Sequence, residues 1–499
     1  MACVLGVDLG TSSVKVALYD LAAGVLRASA AHEYPILKPQ PNYAEQDAES
    51  WWQATRSAIR RVLAQAGDHS PLLGIGLSGQ MHGALLLDAQ GQPLAPAIIW
   101  PDQRSAAQAQ QLMDAVGRER YVSITGTLAA TGFMAASLLW LKEHAPDVLA
   151  CAHTVLLPKD YVRFRLCGAL HTDVSDAAGT GLLDIHARRW SEDILQAAGL
   201  PVHVLPPLAE SAAIVGQLSA QAADDLGLPA GLLIAAGSAD QVAQAVGNGL
   251  VTPGRASVTI GSGGQVFVPV PAQPAATDPR LHRFNHAVPG LHYILGATLS
   301  AGLSLRWLRQ VVGLEHHPDA YAILSAEAAQ KPPGADGLIF LPYLTGERTP
   351  YMDSAARGAF IGLNAYHGRG HLARAVMEGV TFSLRQALEL ALELGQVQAE
   401  GLLIAGGASE SPFWRQLMAD VWGMPVQKSL SPEPAAVGAS LLAALGAGYY
   451  ASFAQMAQAT ARYDAWTEPR AESRALYDER YAHFCALYPR LREDLHRLA

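Results

Sequence analysis

Residues 5–18 read Leu-Gly-Val-Asp-Leu-Gly-Thr-Ser-Ser-Val-Lys-Val-Ala-Leu, two short apolar runs around a Gly/Thr/Ser turn. The pattern predicts a strand, a tight polar loop and a second strand. Asp8 closes the first run, and the turn offers backbone N–H groups and the hydroxyls of Thr11 and Ser12, with Lys15 just beyond. Such a loop can hold phosphates, and Asp8 can hold Mg²⁺, a hard cation that takes oxygen ligands. A dinucleotide fingerprint would open a helix after its glycines, whereas this segment returns as a strand. The G-x-x-x-x-G-K-[ST] phosphate loop is absent as well.

The chain echoes this unit. Residues 256–268 form a second run–Gly/Ser turn–run, Ala-Ser-Val-Thr-Ile-Gly-Ser-Gly-Gly-Gln-Val-Phe-Val. A second pair of segments, 232–240 and 402–410, shares a Leu-Leu-Ile-Ala run followed by small residues. Two homologous α/β halves, 1–247 and 248–499, are the expected parse, with a cleft between them that closure can seal from water. Residues 269–279 are rich in Pro and Ala and read as a surface loop; the chain from about 470 onward has a helical period.

Composition narrows the function. At 499 residues, 50% hydrophobic and 16% charged, the chain has ample apolar content for a folded core. A net charge of −9, without a long Lys/Arg cluster, argues against nucleic acid as partner. The four cysteines, Cys3, Cys151, Cys167 and Cys485, lack any C-x-x-C pairing and read as reduced, mostly buried thiols. No basic leader and no bilayer-length apolar run is evident, so a cytoplasmic protein without a membrane partner is expected.

Several polar residues stand at strand ends, where α/β sheets display their chemistry. Asp240 follows an apolar run and a Gly-Ser-Ala turn. It can accept a proton from a sugar hydroxyl, or simply cap a helix. Ser78-Gly79-Gln80-Met81-His82-Gly83 offers directional hydrogen bonds beside an adaptable apolar wall, although a lone His is often just a satisfied structural group. Asp102 can accept from two hydroxyls with Arg104 orienting it, or the two form an ordinary ion pair. Gly406 and Gly407 remove side chains where a purine or ribose can lie. Arg348, in the polar loop 344–350, suits a phosphate or a neighbouring subunit.

Taken in order, these motifs resemble the FGGY carbohydrate kinases and, within them, the branch that phosphorylates xylulose. Glu45-Gln46-Asp47 before Trp51-Trp52, Leu157-Pro158-Lys159-Asp160-Tyr161, Ser175-Asp176-Ala177-Ala178-Gly179-Thr180, and residues 358–363 and 371–378 complete the set. The resemblance spans essentially the whole chain. It implies an actin-like fold of two ribonuclease-H-like domains around a central cleft, with ATP and Mg²⁺. It further implies Asp8 at the metal and Asp240 as general base. Met81, His82, Asp102, Asp240 and Gln241 fall on the sugar side. Thr11, Ser12, Lys15, Gly261, Ser262, Gly263, Gly406 and Gly407 fall on the nucleotide side. Its partners are a small sugar and ATP, with a homodimer as a candidate assembly.

Three positions depart from the family pattern: Gln241 stands for Asn, Gly263 follows Ser262 where a second hydroxyl is usual, and Ser137 stands for Lys. Gln241 leaves ribulose, fuculose or glycerol as alternative substrates. An actin-like ATPase that answers to a protein partner is the rival of another class.

Overall fold

The structure, a computed structural model, describes residues 2–67, 71–273 and 277–498. The chain opens with β1 (Cys3–Leu9), β2 (Ser13–Asp20) and β3 (Val25–Glu33), then α1 (Ala48–Ala66) and β4 (Leu72–Gly79). Helix α2 (Pro158–Cys167) leads through β5 (Ile214–Gln217), β6 (Leu233–Ala235) and β7 (Ser238–Ala239) to α3 (Asp240–Gly247). The second half runs through β8 (Arg255–Ile260), β9 (Gly264–Pro271), β10 (His282–Asn285), β11 (Leu291–Thr298) and α4 (Gly302–Val311). It ends with β12 (Gly401–Ala405), β13 (Val426–Lys428), α5 (Pro434–Gly446) and α6 (Arg474–Leu498).

The first sheet has the order β5-β6-β4-β1-β2-β3, with β7 also pairing to β4; the second has the order β10-β11-β9-β8-β12-β13. In each, an antiparallel meander (β1-β2-β3, β8-β9-β11) is extended by two parallel strands (β4 and β6, β12 and β13). This is the expected duplicated, ribonuclease-H-like α/β design. Helix α1 shows how sequence makes one layer. The Asp47 side chain accepts from the Glu49 N–H at its start, Gly67 ends it at φ 64°, and Trp51, Trp52, Ile59 and Val62 are buried.

Three expectations need correction. The Leu-Leu-Ile-Ala runs at 232 and 402 are not counterparts. The first is β6, which pairs with β4 and so lies two strands from β1, whereas the second is β12, which pairs directly with β8 as β4 pairs with β1, and so corresponds to β4. Buried parallel strands are apolar on both faces, so any two of them look alike in sequence. Residues 269–271 belong to β9 rather than to a loop. Strand β8 pairs β9 only as far as Phe267, so the prolines beyond it meet no neighbour on that edge. The rest of that segment extends over 274–276, which lie outside the described residues. Of the cysteines, only Cys3 is buried, and Cys151 is exposed.

Apolar side chains form a core under each sheet and a third at the seam between the halves. Helix α5 makes that seam. Although it comes from the second half, it lies across β1 and β4 of the first. A Cβ on Gly6 would fall 1.8 Å from the Ala436 carbonyl oxygen, and one on Gly76 would fall 1.8 Å from that of Ala439. Helices α3 and α5 cross equally closely, with a Cβ on Gly438 falling 1.8 Å from the Ala243 oxygen. Helix α6 packs Tyr477, Phe484 and Tyr488 into the second core. Among the described residues, no helix is long and apolar enough to cross a membrane.

Candidate active site

Strand register brings the two carboxylates together. Asp8 on β1 pairs with Ser78 on β4, and Ser78 in turn pairs with Ser238 on β7, two residues before Asp240. One strand thus separates the stems of Asp8 and Asp240 at the C-terminal edge of the sheet. The Ser78 hydroxyl donates to Asp8 Oδ1 at 2.6 Å. Burial pushes the Asp8 carboxyl above its ordinary range, against the pull of the Ser78 bond and the Lys15 charge. Burial, reinforced by the negative charge of Asp8, pushes Asp240 up to about 7, while the Gln241 N–H donating to its Oδ1 at 2.7 Å works the other way. A carboxyl poised there can take a proton at neutral pH.

On one side of this pair the loop Gly10–Ser13 is tied down. Thr11 accepts from Trp100 Nε1 at 2.8 Å through its hydroxyl, and from Gln46 Nε2 at 2.7 Å through its carbonyl. Ser12 is exposed, and among the described residues nothing accepts from the N–H groups of Thr11 or Ser12. Those two donors are what a phosphate needs. Lys15 spans the seam to Glu433 at 2.8 Å, a half-exposed pair of small energetic weight that still tethers the hairpin to the start of α5.

A cavity of about 570 Å³ opens here, lined by Asp8, Lys15, Thr259, Gly406, Ser409 and Lys428. A second, of about 470 Å³, adjoins it through Glu410 and the glycine turn, and is lined by Gly261, Ser262, Leu305, Met377, Gly407 and Trp414. Polar near the carboxylates and apolar farther out, the pair suits phosphates followed by an aromatic base. The two glycines of the turn do different work. Gly406 sits at φ +84°, where a Cβ would meet the Ile260 oxygen at 2.2 Å, whereas a Cβ on Gly407 would meet nothing within 4 Å. The Gly261–Gly263 turn is fixed to α4: the Gly261 carbonyl accepts from Gly302 and the Ser262 carbonyl from Ala301 and Leu303. Arg306 donates to the Ser262 hydroxyl at 3.2 Å. Nothing in sequence distinguishes Arg306 from a surface arginine.

On the other side lies His82, held at φ +76°, a region that non-glycine residues seldom occupy. Its ring stacks on Phe133 at 3.9 Å and 8°, and its Nδ1 meets the Gly179 carbonyl. Burial, with help from the Arg348 charge, pushes His82 down to about 4, so the ring is neutral. A neutral ring facing a carbonyl with Nδ1 carries its proton there, which leaves Nε2 as an acceptor. Met81 closes the wall beside it, since a Cβ on Gly179 would fall 2.7 Å from its Cε. Arg348, whose charge acts on His82, comes from the second half.

Asp102 is wholly buried and fully engaged. Its oxygens accept from the Ala44 N–H and from the backbone N–H, Nε and Nη2 of Arg104 at 2.7–2.9 Å. Arg104 also pairs with Glu45 at 2.7 Å and lies 3.6 Å over the Tyr43 ring. A sugar hydroxyl at Asp102 would have to displace one of these donors. Gln241 lines a void of about 10 Å³ at the seam with Gln244, Thr259 and Gln265. Ser137 is buried, and its hydroxyl finds no partner among the described residues.

Comparison with known proteins gives the family. Models of the FGGY family of carbohydrate kinases match residues 3–247 (N-terminal domain) and 256–447 (C-terminal domain). The chain is 36% identical to the xylulose kinase of Lactococcus lactis, covering 100% of this chain and 99% of that one. It is 37% identical to the xylulose kinase of Escherichia coli, covering 98% and 99%. Among solved structures, a xylulose kinase of Rhodospirillum rubrum superposes with a TM-score of 0.92 at 32% identity over 99% of this chain and 100% of that one. With both domain models matched in order and relatives of this identity over its full length, the chain belongs to the FGGY family of carbohydrate kinases.

Proposed function

We propose that this kinase transfers the γ-phosphoryl group of ATP to the terminal hydroxyl of D-xylulose, with Asp240 as general base. The observation that carries the reading is the strand register that sets Asp8 and Asp240 on either side of Ser78, with Asp8 lining the larger of the two nucleotide-sized cavities. Xylulose as the substrate rests on the relatives named above and on the Met81-His82 pair.

In this reading the sugar lies on the first half, with a hydroxyl donating to His82 Nε2 and its terminal hydroxyl donating to Asp240. Asp240 accepts that proton as the oxygen attacks phosphorus, a contribution of roughly 10²- to 10⁴-fold. Adenosine lies on the second half against Gly407 and Trp414, and the N–H groups of Thr11 and Ser12 meet the phosphates. Lys15 and the Gly261-Ser262-Gly263 turn stand on the nucleotide side. Positioning the reactants accounts for most of the remaining acceleration.

The donor set at Asp8 fits Mg²⁺. It is an oxygen ligand with one oxygen held by Ser78, and among the described residues no cluster of three His, Cys, Asp or Glu side chains forms an all-protein cage. Mg²⁺ usually takes one or two carboxylates, with phosphate oxygens and water completing its shell. Bound there, the ion would supply charge neutralisation on the phosphate oxygens.

A coupled ADP-release assay over D-xylulose, D-ribulose, L-fuculose and glycerol tests the reading. The highest kcat/KM is expected for D-xylulose, and ADP release without sugar is expected to be slow, because closure on the sugar completes the site. A preference for another acceptor would reassign the substrate. Equal ADP release with and without any of them would remove the sugar kinase reading altogether.

A further inference from the structure

Behind the strand ends that present Asp240 lies a group of charges shut away from solvent. Lys159, Asp160, Arg163, Asp173 and Asp176 are all 0% exposed. Lys159 Nζ lies 2.6 Å from Asp160 Oδ1, 2.9 Å from Asp173 Oδ1 and 3.2 Å from Asp176 Oδ2. Arg163 Nη1 donates to Asp160 Oδ1 at 2.7 Å. Burying such a set carries a large desolvation cost, and well-packed apolar residues often serve stability as well or better. What apolar residues cannot supply is hydrogen bonds in fixed directions.

Those bonds converge on one short stretch of backbone, Ala236 to Ala239. Arg163 donates to the Ala236 carbonyl at 2.8 Å. The Ser211 carbonyl accepts from the Gly237 N–H at 3.0 Å, and the Ser211 hydroxyl donates to Asp173 Oδ2 at 3.0 Å. The Ser175 hydroxyl donates to Asp173 Oδ2 at 2.6 Å and accepts from the Ala239 N–H at 3.2 Å. The Ala239 N–H can only donate to the Ser175 oxygen, so the Ser175 proton is left to point to Asp173 Oδ2. The next residue is Asp240. The segment that carries Ser175 continues to Gly179, whose carbonyl fixes the His82 ring.

We propose that Ser175 is a positioning residue for Asp240: its hydroxyl, aimed by Asp173 and through it by Lys159, fixes the Ala239 peptide and hence the direction of the Asp240 carboxylate. The proposal rests on Asp240 being the general base. The motif 157–161 and the motif 175–180 thereby acquire one joint role.

A double-mutant cycle tests it. Ser175→Ala is expected to lower kcat about tenfold, the scale of a small misplacement of a reacting group, with KM for ATP within about twofold of the parent. In an Asp240→Asn background the same change is expected to cost nothing further, because the group it positions is gone. A Ser175→Ala kcat within twofold of the parent would overturn the proposal. So would an equal fold-loss in both backgrounds, which marks a merely structural serine. Should Ser175→Ala not be recovered folded, Asp173→Asn enters the same cycle with the same expected and contrary results. Parent-like kcat in Asp240→Asn alone would instead refute the general-base assignment, so the two failures are distinguishable.

Discussion

Replacing Asp240 by Asn lowers kcat by roughly 10²- to 10⁴-fold, leaves nucleotide affinity nearly unchanged and makes the protein more stable at neutral pH. The activity loss follows from removing the only proposed proton acceptor beside the attacking hydroxyl. The gain in stability follows from electrostatics. Burial and the Asp8 charge hold the Asp240 carboxyl near 7, whereas in an unfolded chain it titrates near about 4. Between those values the unfolded chain has lost a proton that the folded chain keeps, so folding weakens as pH rises from about 4 to about 7 and is level above. Asn carries no such penalty. The advantage of Asp240→Asn therefore grows over that window, to on the order of 1–3 kcal/mol at pH 8, and is small at pH 4. Thermal melts of both proteins at pH 4.5 and 8, beside their steady-state kinetics, check the pair of effects. A variant that loses activity and also melts lower at pH 8 would show that Asp240 is structural.

Gly438→Ala costs at least about 3 kcal/mol and lowers kcat with it, the second large effect. Its Cβ would fall 1.8 Å from the Ala243 carbonyl oxygen, far inside any contact distance, and the obstacle is helix backbone that cannot rotate away. Relief requires α3 and α5 to separate. Helix α3 begins with Asp240, and α5 begins beside the Lys15–Glu433 pair and lies on β1, which carries Asp8. Forcing them apart therefore disturbs the carboxylate pair from both sides. Gly407→Ala makes the contrast, because a Cβ there meets nothing and its melt should match the parent. Differential scanning calorimetry of the two variants measures the difference; a Gly438→Ala melt equal to the parent would mean the helices do not cross as described.

Much of this was legible in the chain because local rules and global fold agree there. The two hairpins announce themselves through β-branched runs around Gly/Thr/Ser turns, and Asp8 and Asp240 stand out as carboxylates at strand ends. What sequence misreads is strand order: residues 232 and 402 begin similar runs because burial on both faces erases the alternation that would tell one strand from another. Long-range partners are invisible for a different reason. Lys15 finds Glu433 across 418 residues, and Lys159 meets Asp173 and Asp176 of a separate segment as well as its neighbour Asp160. At Asp102 sequence leaves two readings open, a ligand acceptor or a partner of Arg104, and the structure engages its oxygens with Ala44 and Arg104. Helix α5 is almost wholly apolar, so no amphipathic stripe marks the strands it covers; its one sign is a glycine at 438.

The central claim is that one pocket holds the reacting alcohol against Asp240 and the nucleotide phosphates against Asp8. The structure of the protein with D-xylulose, Mg²⁺ and a non-hydrolysable ATP analogue tests it most directly. The account predicts the terminal hydroxyl of the sugar at about 2.6–3.2 Å from an Asp240 oxygen and in line with the γ-phosphorus. A terminal hydroxyl bonded elsewhere, with Asp240 out of reach and the phosphates remote from Asp8, would contradict it.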